Sequence, residues 1–204
     1  MKNTINGFLD ELSSQAPTPG GGGASALMGA VSAALCSMVA NLTSGKKKYA
    51  EYQDDIDKVI EKTKISIGKL LHLIEKDGEV FAPLAEAYRI PKDQPDRDKM
   101  LEEALIGACS APLDIIREVS GIVGIIEELQ SKGSRMAVSD VGVAASACRS
   151  ALEGAAMNVY INTKLMKDRE YAAKINAETT SLLEQSCSRC EKVYLEILNE
   201  LRCV

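Results

Sequence analysis

The sequence contains no tryptophan, only two phenylalanines and a single histidine, His72. With so few flat side chains, it offers little on which nucleic-acid bases could stack. Positive charge is also in deficit: 24 lysines and arginines against 29 aspartates and glutamates leave a formal net charge of −5, which argues against a general binder of nucleic acid or anionic membrane. The opening Met1-Lys2-Asn3-Thr4-Ile5 lacks the apolar core of a signal peptide, so a cytoplasmic location is expected. Strand-type alternation, a repeat of fixed period and a compositional break are all missing, so one helical domain over residues 1–204 is expected.

Metal-site chemistry is equally poorly provided for. The six cysteines stand at 36, 109, 148, 187, 190 and 203, most of them inside alanine-rich helical patterns where they serve as small apolar residues. Cys187-Ser188-Arg189-Cys190 is a CxxC, but it falls late in a helix with no second CxxC, and only Cys203 and His72 could add ligands. Packing therefore outweighs a metal or redox role, and a reduced, disulfide-free chain without bound metal is expected.

What the chain does have is a glycine run that organises the rest: Pro17-Thr18-Pro19-Gly20-Gly21-Gly22-Gly23-Ala24-Ser25-Ala26. Two prolines stiffen the approach and four glycines strip away side chains, which reads as a loop opening into a helix. No Gly-Lys-Ser/Thr follows at the spacing of a nucleotide-binding loop, and no strand precedes it. Two readings stay open. The small residues Gly22, Ala26, Gly29, Ala30, Ala33 and Ala34 suit close helix packing, and the bare helix start suits an anion or the polar edge of a ligand. The apolar run Ala24–Leu42 has the length of a membrane span, but its alanine, glycine and serine content, with Asn41 near its end, fits a buried helix better.

Apolar periodicity supplies the other helices. Asn3 or Thr4 can cap a first helix reaching Gln15; the small-residue helix extends to Thr43; Gly45 then introduces the basic turn Lys46-Lys47-Lys48-Tyr49. A long amphipathic helix begins near Tyr52, with Pro83 a candidate kink, and Pro91 to Pro95 form a surface loop. One helix, bent at Pro112, is expected from about Arg97 to Gly133, another from Ser139–Asp140 to Met166, and a last from Asp168 to Leu201. The expectation is an all-α bundle of about six to eight helices, with wide small-residue surfaces shared with a second copy.

Four polar residues stand on or at the ends of apolar patterns. Asp77 continues the stripe that runs through Leu70, Leu71 and Ile74 towards Phe81, so its carboxyl is expected to be paired, hydrogen-bonded or protonated, unless it simply reaches water at a helix end. Asp140 and Asn158 share one angular position on their helix, with Asn162 only 40° away, at the two ends of an alanine-lined face. They are about 27 Å apart along the axis, so one copy of the helix cannot bring both to one small substrate. Either one is structural, Asp140 as a plain helix cap for instance, or a second subunit completes the site.

The glycine segment, Ser37-Met38-Val39-Ala40-Asn41-Leu42-Thr43, Gly45-Lys46-Lys47-Lys48-Tyr49, Asp77 with Phe81, Arg89-Ile90-Pro91-Lys92, Ala111-Pro112-Leu113, Ser139-Asp140-Val141-Gly142-Val143-Ala144-Ala145 and Asn158-Val159-Tyr160-Ile161-Asn162 occur in this order. Together they resemble the cyclodeaminase family, found as the C-terminal half of formiminotransferase-cyclodeaminase and as stand-alone bacterial relatives. The resemblance spans nearly the whole chain and fits the free-standing form. It departs near Lys76, where members often carry an acidic residue, and at Ala24-Ser25, where many have Ser-Val.

The resemblance implies an all-helical homodimer with its active site between subunits. It implies closure of 5-formiminotetrahydrofolate to 5,10-methenyltetrahydrofolate with release of ammonia, or, as in some stand-alone relatives, opening of the methenyl ring by water. On that reading Asp77, or failing it Asp140, delivers the proton and then faces the cationic product. Asn158 and Asn162 hydrogen-bond the pterin edge, Pro19 and Gly20, Gly21, Gly22 and Gly23 lie against the ring, and Lys46 and Lys47 pair with the carboxylates of a tail that can be polyglutamylated. No cofactor beyond the tetrahydrofolate substrate is required. The competing expectation is a non-enzymatic helical dimer in which both aspartates are caps.

Overall fold

The computed structural model describes residues 4–202. Among these there are seven α-helices and no strand: α1 (Ile5–Leu12), α2 (Gly21–Thr43), α3 (Gln53–Arg89), α4 (Arg97–Ala108), α5 (Ser110–Lys132), α6 (Val138–Leu165) and α7 (Arg169–Arg202), with short 3-10 turns at Lys47–Tyr52 and Arg135–Ala137. The all-helical bundle expected from periodicity is what forms.

Helix α2 is the axis of the bundle, packed along α3 on one side and α6 on the other, with α5 behind it; α7 closes over α5 and α6. Its small residues explain the intimacy. Ala26, Ala33, Val39 and Ala40 are buried, and a Cβ on Gly29 would lie 2.7 Å from a Val119 methyl, so α2 and α5 approach to a separation that only glycine permits. On the α6 side, the buried Ser32 hydroxyl is satisfied by donating to the Ala144 carbonyl at 2.8 Å. Ile115, Ile116, Val119, Ile122, Val123 and Ile126 of α5 are fully buried in the core; each such side chain stabilises the fold by about 1.5–3 kcal/mol through burial. α2 is long and apolar enough to cross a membrane, but more than half of its apolar window is buried in the bundle.

Several boundaries differ from those expected. α1 stops at Leu12 rather than Gln15, because the Ser13 and Ser14 hydroxyls turn back onto the Asp10 and Glu11 carbonyls. Its start is capped by Thr4, which accepts from the Gly7 N–H at 3.0 Å; the alternative cap Asn3 lies outside the described residues. α3 runs through Pro83, the candidate kink, as one helix to Arg89, as the pattern had it. The expected bent helix from Arg97 to Gly133 is two helices that meet at Cys109, and Pro112 occupies the first turn of α5, where a missing N–H costs nothing. Asp140 is not the cap of α6. That place is held by Ala137, and Asp140 lies inside the first turn. Asp168 does cap α7, accepting from the Tyr171 N–H at 2.9 Å.

Candidate active site

The glycine run is not a loop ahead of α2 but its first turn. Gly20 is the N-cap, and Gly21, Gly22 and Gly23 are already helical. The first N–H groups of a helix have no intrahelical acceptor. One of them is taken by Asp77 of α3, whose Oδ2 accepts from the Gly23 N–H at 2.9 Å across 54 positions of sequence. Gly22 explains why: a Cβ there would sit 2.1 Å from Asp77 Oδ1, so the carboxyl occupies the volume where any other residue would place its side chain.

Burial against α2 pushes the Asp77 carboxyl above its ordinary pKa, and the Gly23 N–H bond partly opposes that by favouring the anion. Among the described residues no lysine or arginine forms an ion pair with it; neighbouring Lys76 turns instead to Asp114 at 2.7 Å. Asp77 is therefore a half-buried, hydrogen-bonded acid with no cation to quench it, which is the state the interrupted stripe suggested.

Asn158 of α6 approaches the same turn from the other side. A Cβ on Gly21 would lie 3.2 Å from its Nδ2, and that Nδ2 donates to the Gly154 carbonyl at 2.9 Å. Its Oδ1 then remains an available acceptor beside Gly21. Asn162, one turn on, is buried, and near it at the α4–α5 junction the Cys109 thiol donates to the Val159 carbonyl at 3.9 Å. Pro19 lines an open cavity of about 390 Å³ with Thr18, Gly78, Ile74 and three carboxylates, Glu11, Glu75 and Glu79.

Two residues that sequence reasoning missed hold this turn in place. The Ser25 hydroxyl donates to the Gly21 carbonyl at 2.7 Å, and a Cβ on Gly154 would lie 2.4 Å from that hydroxyl oxygen. The only hint in the sequence was that Gly154 falls on the small-residue face of α6.

Lys46, Lys47 and Asp140 are not brought to this site within one chain. Lys46 follows the C-terminus of α2 and reaches Ser134 at 3.4 Å, and the 22 steps from Gly21 to Thr43 span about 33 Å. α6 runs antiparallel to α2, since Gly154 meets Ser25 while Ala144 meets Ser32, and so Asp140 lies towards the lysine end. Between the two ends α2 and α6 expose an apolar face that includes Val31, Met38, Leu42, Val143, Met157 and Ile161.

The sequence from residue 4 to 181 matches the family model described as formiminotransferase-cyclodeaminase. The chain belongs to this family. It is 40% identical over 195 residues to the methenyltetrahydrofolate cyclohydrolase of Methylorubrum extorquens, with 94% of each chain covered. It is 32% identical to the formimidoyltransferase-cyclodeaminase of Mus musculus, matching 91% of this chain and 35% of that protein. A crystal structure of formiminotetrahydrofolate cyclodeaminase from Thermotoga maritima superposes with a TM-score of 0.84 at 30% identity, covering 97% of this chain and 98% of that one. This cyclodeaminase-family chain thus has relatives on both sides of one folate one-carbon unit, and a fold shared along its whole length.

Proposed function

We infer that the protein is a methenyltetrahydrofolate cyclohydrolase, adding water to the one-carbon bridge of 5,10-methenyltetrahydrofolate to leave a formyl group on N10. The observation that carries this choice is the 40% identity to a cyclohydrolase of matching length. It reverses the order of the two reactions expected from the sequence alone. Cyclodeaminase activity is the second reading, favoured by the full-length likeness to the Thermotoga maritima enzyme.

The Asp77 geometry serves either reaction. The methenyl bridge is a cation spread over N5, carbon and N10, and a carboxylate facing it without a competing lysine or arginine stabilises it electrostatically. In ring opening, Asp77 takes one proton as water attacks the bridge carbon and returns it to N5 as the carbon–N5 bond breaks, while the remaining hydroxyl proton of the adduct leaves to solvent as the formyl carbonyl forms. Its raised proton affinity makes it a stronger base than an ordinary carboxylate. In ring closure the same carboxyl, protonated, delivers a proton to the departing amine. A positioned acid or base of this kind contributes about 10²–10⁴ in rate. Pro19 and the glycine turn lie against the pterin, and Asn158 Oδ1 accepts from its edge. No cofactor beyond the folate is needed.

A homodimer completes the site. A twofold axis across the apolar face of α2 and α6 sets the Gly20–Gly23 end of one copy beside the lysine end of the other. Lys46 and Lys47 of the partner subunit then meet the glutamate tail, and Asp140 of the partner subunit approaches the ring. Charge supports that direction: Glu11, Glu75 and Glu79 flank the glycine turn within the chain and repel a polyanionic tail. The test is a pair of assays on the purified protein, loss of methenyl absorbance and release of ammonia from 5-formiminotetrahydrofolate. The cyclohydrolase reading expects faster turnover in the first; ammonia release with no acceleration of methenyl loss overturns it.

A further inference from the structure

Two helices run past the first turn of α2, and each places an unused side chain there. α2 lies antiparallel to both. Leu70 of α3 meets Gly29 while Ile74 and Asp77 meet Gly23 and Gly22; Gly154 of α6 meets Ser25 while Asn158 meets Gly21. Four residues further on, Phe81 of α3 and Asn162 of α6 therefore stand about 6 Å beyond that turn, each within about 40° of the direction of Asp77 or Asn158. α4 packs across α3 and α6, and at its end the Cys109 thiol meets the Val159 carbonyl of α6.

Packing alone explains neither side chain. Asn162 is only 9% exposed, yet among the described residues no group hydrogen-bonds its amide. The neighbouring Cys109 thiol donates to a backbone carbonyl instead. A buried amide without a partner destabilises a fold unless something from outside supplies the bonds. Access for such a partner exists: among the described residues the unpartnered side-chain atom that is completely sealed is Thr179 Oγ1, and the Asn162 amide keeps a narrow opening. Of the two phenylalanines, Phe8 is buried in the core, whereas Phe81 is only partly buried, one turn from the acid. An aromatic face beside an unpaired amide suits a flat heterocycle with a polar edge.

We propose that Phe81 and Asn162 are the residues that select the ring system, Phe81 lying against the pterin face and the Asn162 amide reading its lactam edge ahead of the α2 turn. This rests on the folate reading above and holds for either reaction. The ring N3–H donates to Asn162 Oδ1, and Asn162 Nδ2 donates to O4, a pairing that uses both ends of the amide. O4 is the ring neighbour of N5, so this edge lies beside the one-carbon bridge that Asp77 serves. The 2-amino group then falls to Asn158 Oδ1. Because no protein group fixes the Asn162 amide, it can turn over and accept a ring on which donor and acceptor are exchanged. A carboxylate in its place has no donor and cannot pair with O4.

The test is calorimetric titration of the full-length protein with tetrahydrofolate and with its 4-amino-4-deoxy analogue, beside thermal melts without ligand. Wild type is expected to bind both within a few-fold. Asn162→Asp should lose about 10–100-fold in affinity for tetrahydrofolate and clearly less for the 4-amino ring, which turns a donor towards the carboxylate. Asn162→Leu should weaken both ligands alike while its ligand-free Tm holds or rises, because the amide it removes has no partner in the fold. Phe81→Leu should weaken both about tenfold. Unchanged tetrahydrofolate affinity in Asn162→Asp or Phe81→Leu, an equal loss of both ligands in Asn162→Asp, or a fall in the ligand-free Tm of Asn162→Leu overturns the proposal. Asn162→Leu and Phe81→Leu decide it if Asn162→Asp does not fold. A wild-type protein that binds neither ring overturns the folate reading itself, whereas tight wild-type binding with indifferent variants overturns this inference alone.

Discussion

Replacing Gly22 with alanine adds a single methyl at a point where the site has no room. That Cβ would lie 2.1 Å from Asp77 Oδ1 and 2.6 Å from Oδ2, so the carboxyl must retreat by more than about 1 Å to reach van der Waals separation. A move of that size breaks the 2.9 Å bond from the Gly23 N–H. Losing a hydrogen bond to a charged group costs about 1.5–3 kcal/mol. Alanine's better helix propensity returns at most about 1 kcal/mol. The expected net is about 1–2 kcal/mol of destabilisation, a fall of roughly 2–8 °C in Tm for a chain of this size. Displacing a catalytic group by about 1 Å lowers kcat about 100-fold. Methenyl absorbance and thermal unfolding followed by circular dichroism read both effects. In Gly22→Ala with Asp77→Ala the clash is gone but the Gly23 N–H bond is lost as well, so the two destabilisations should be non-additive and activity is not restored. Gly68→Ala, on α3 with open space around the added Cβ, is the control and should stabilise by about 0.5–1 kcal/mol. A Gly22→Ala protein with wild-type kcat and Tm would mean that Asp77 does not need the space Gly22 leaves.

Asp77 also links stability to pH. Its folded pKa is raised, so the folded state holds the proton more tightly than the unfolded chain does. The associated stability is complete below the ordinary carboxylate pKa and is lost as pH rises through the raised folded value. The Tm of Asp77→Asn relative to wild type should therefore climb across that window, and a pH-independent difference contradicts it. Gly154→Ala forces the Ser25 hydroxyl off the Gly21 carbonyl, since the new Cβ lies 2.4 Å from Ser25 Oγ, and should cost about 1 kcal/mol. Adding Ser25→Ala removes the clash, so thermal melts of the single and double variants should be non-additive. Finally, Asp77→Asn subunits mixed with Lys46→Ala/Lys47→Ala subunits should regain about one quarter of wild-type activity at low substrate, because half the dimers then carry one intact site. No regain would place both groups in one chain or leave the lysines outside the site.

How much of this was legible in advance differs residue by residue. Asp77 was visible because a carboxylate broke an apolar stripe, and such a break has few physical resolutions. Gly22 was visible only as a small residue. That its missing side chain makes room for Asp77 depends on a contact 54 positions away, which no local pattern encodes. The break at Cys109 was hidden because Leu105, Ile106, Cys109, Leu113 and Ile116 keep helical spacing straight across it. Pro112 read as a bend because a proline inside a helix and one in its first turn look alike until the boundary is known. The separation of Lys46 and Lys47 from the glycine turn follows from the length of α2, which was readable; which copy they serve is a property of an assembly and not of one chain.

On the proposed mechanism the Asp77 carboxyl, seated on the first turn of α2, moves the proton at a folate one-carbon bridge. The most direct measurement is kcat of Asp77→Asn beside its affinity for the folate substrate, with methenyl absorbance reading the first and ligand-induced stabilisation the second. The expected result is a loss of about 100-fold or more in kcat, with affinity held within a few-fold. Near-normal turnover by Asp77→Asn would contradict it.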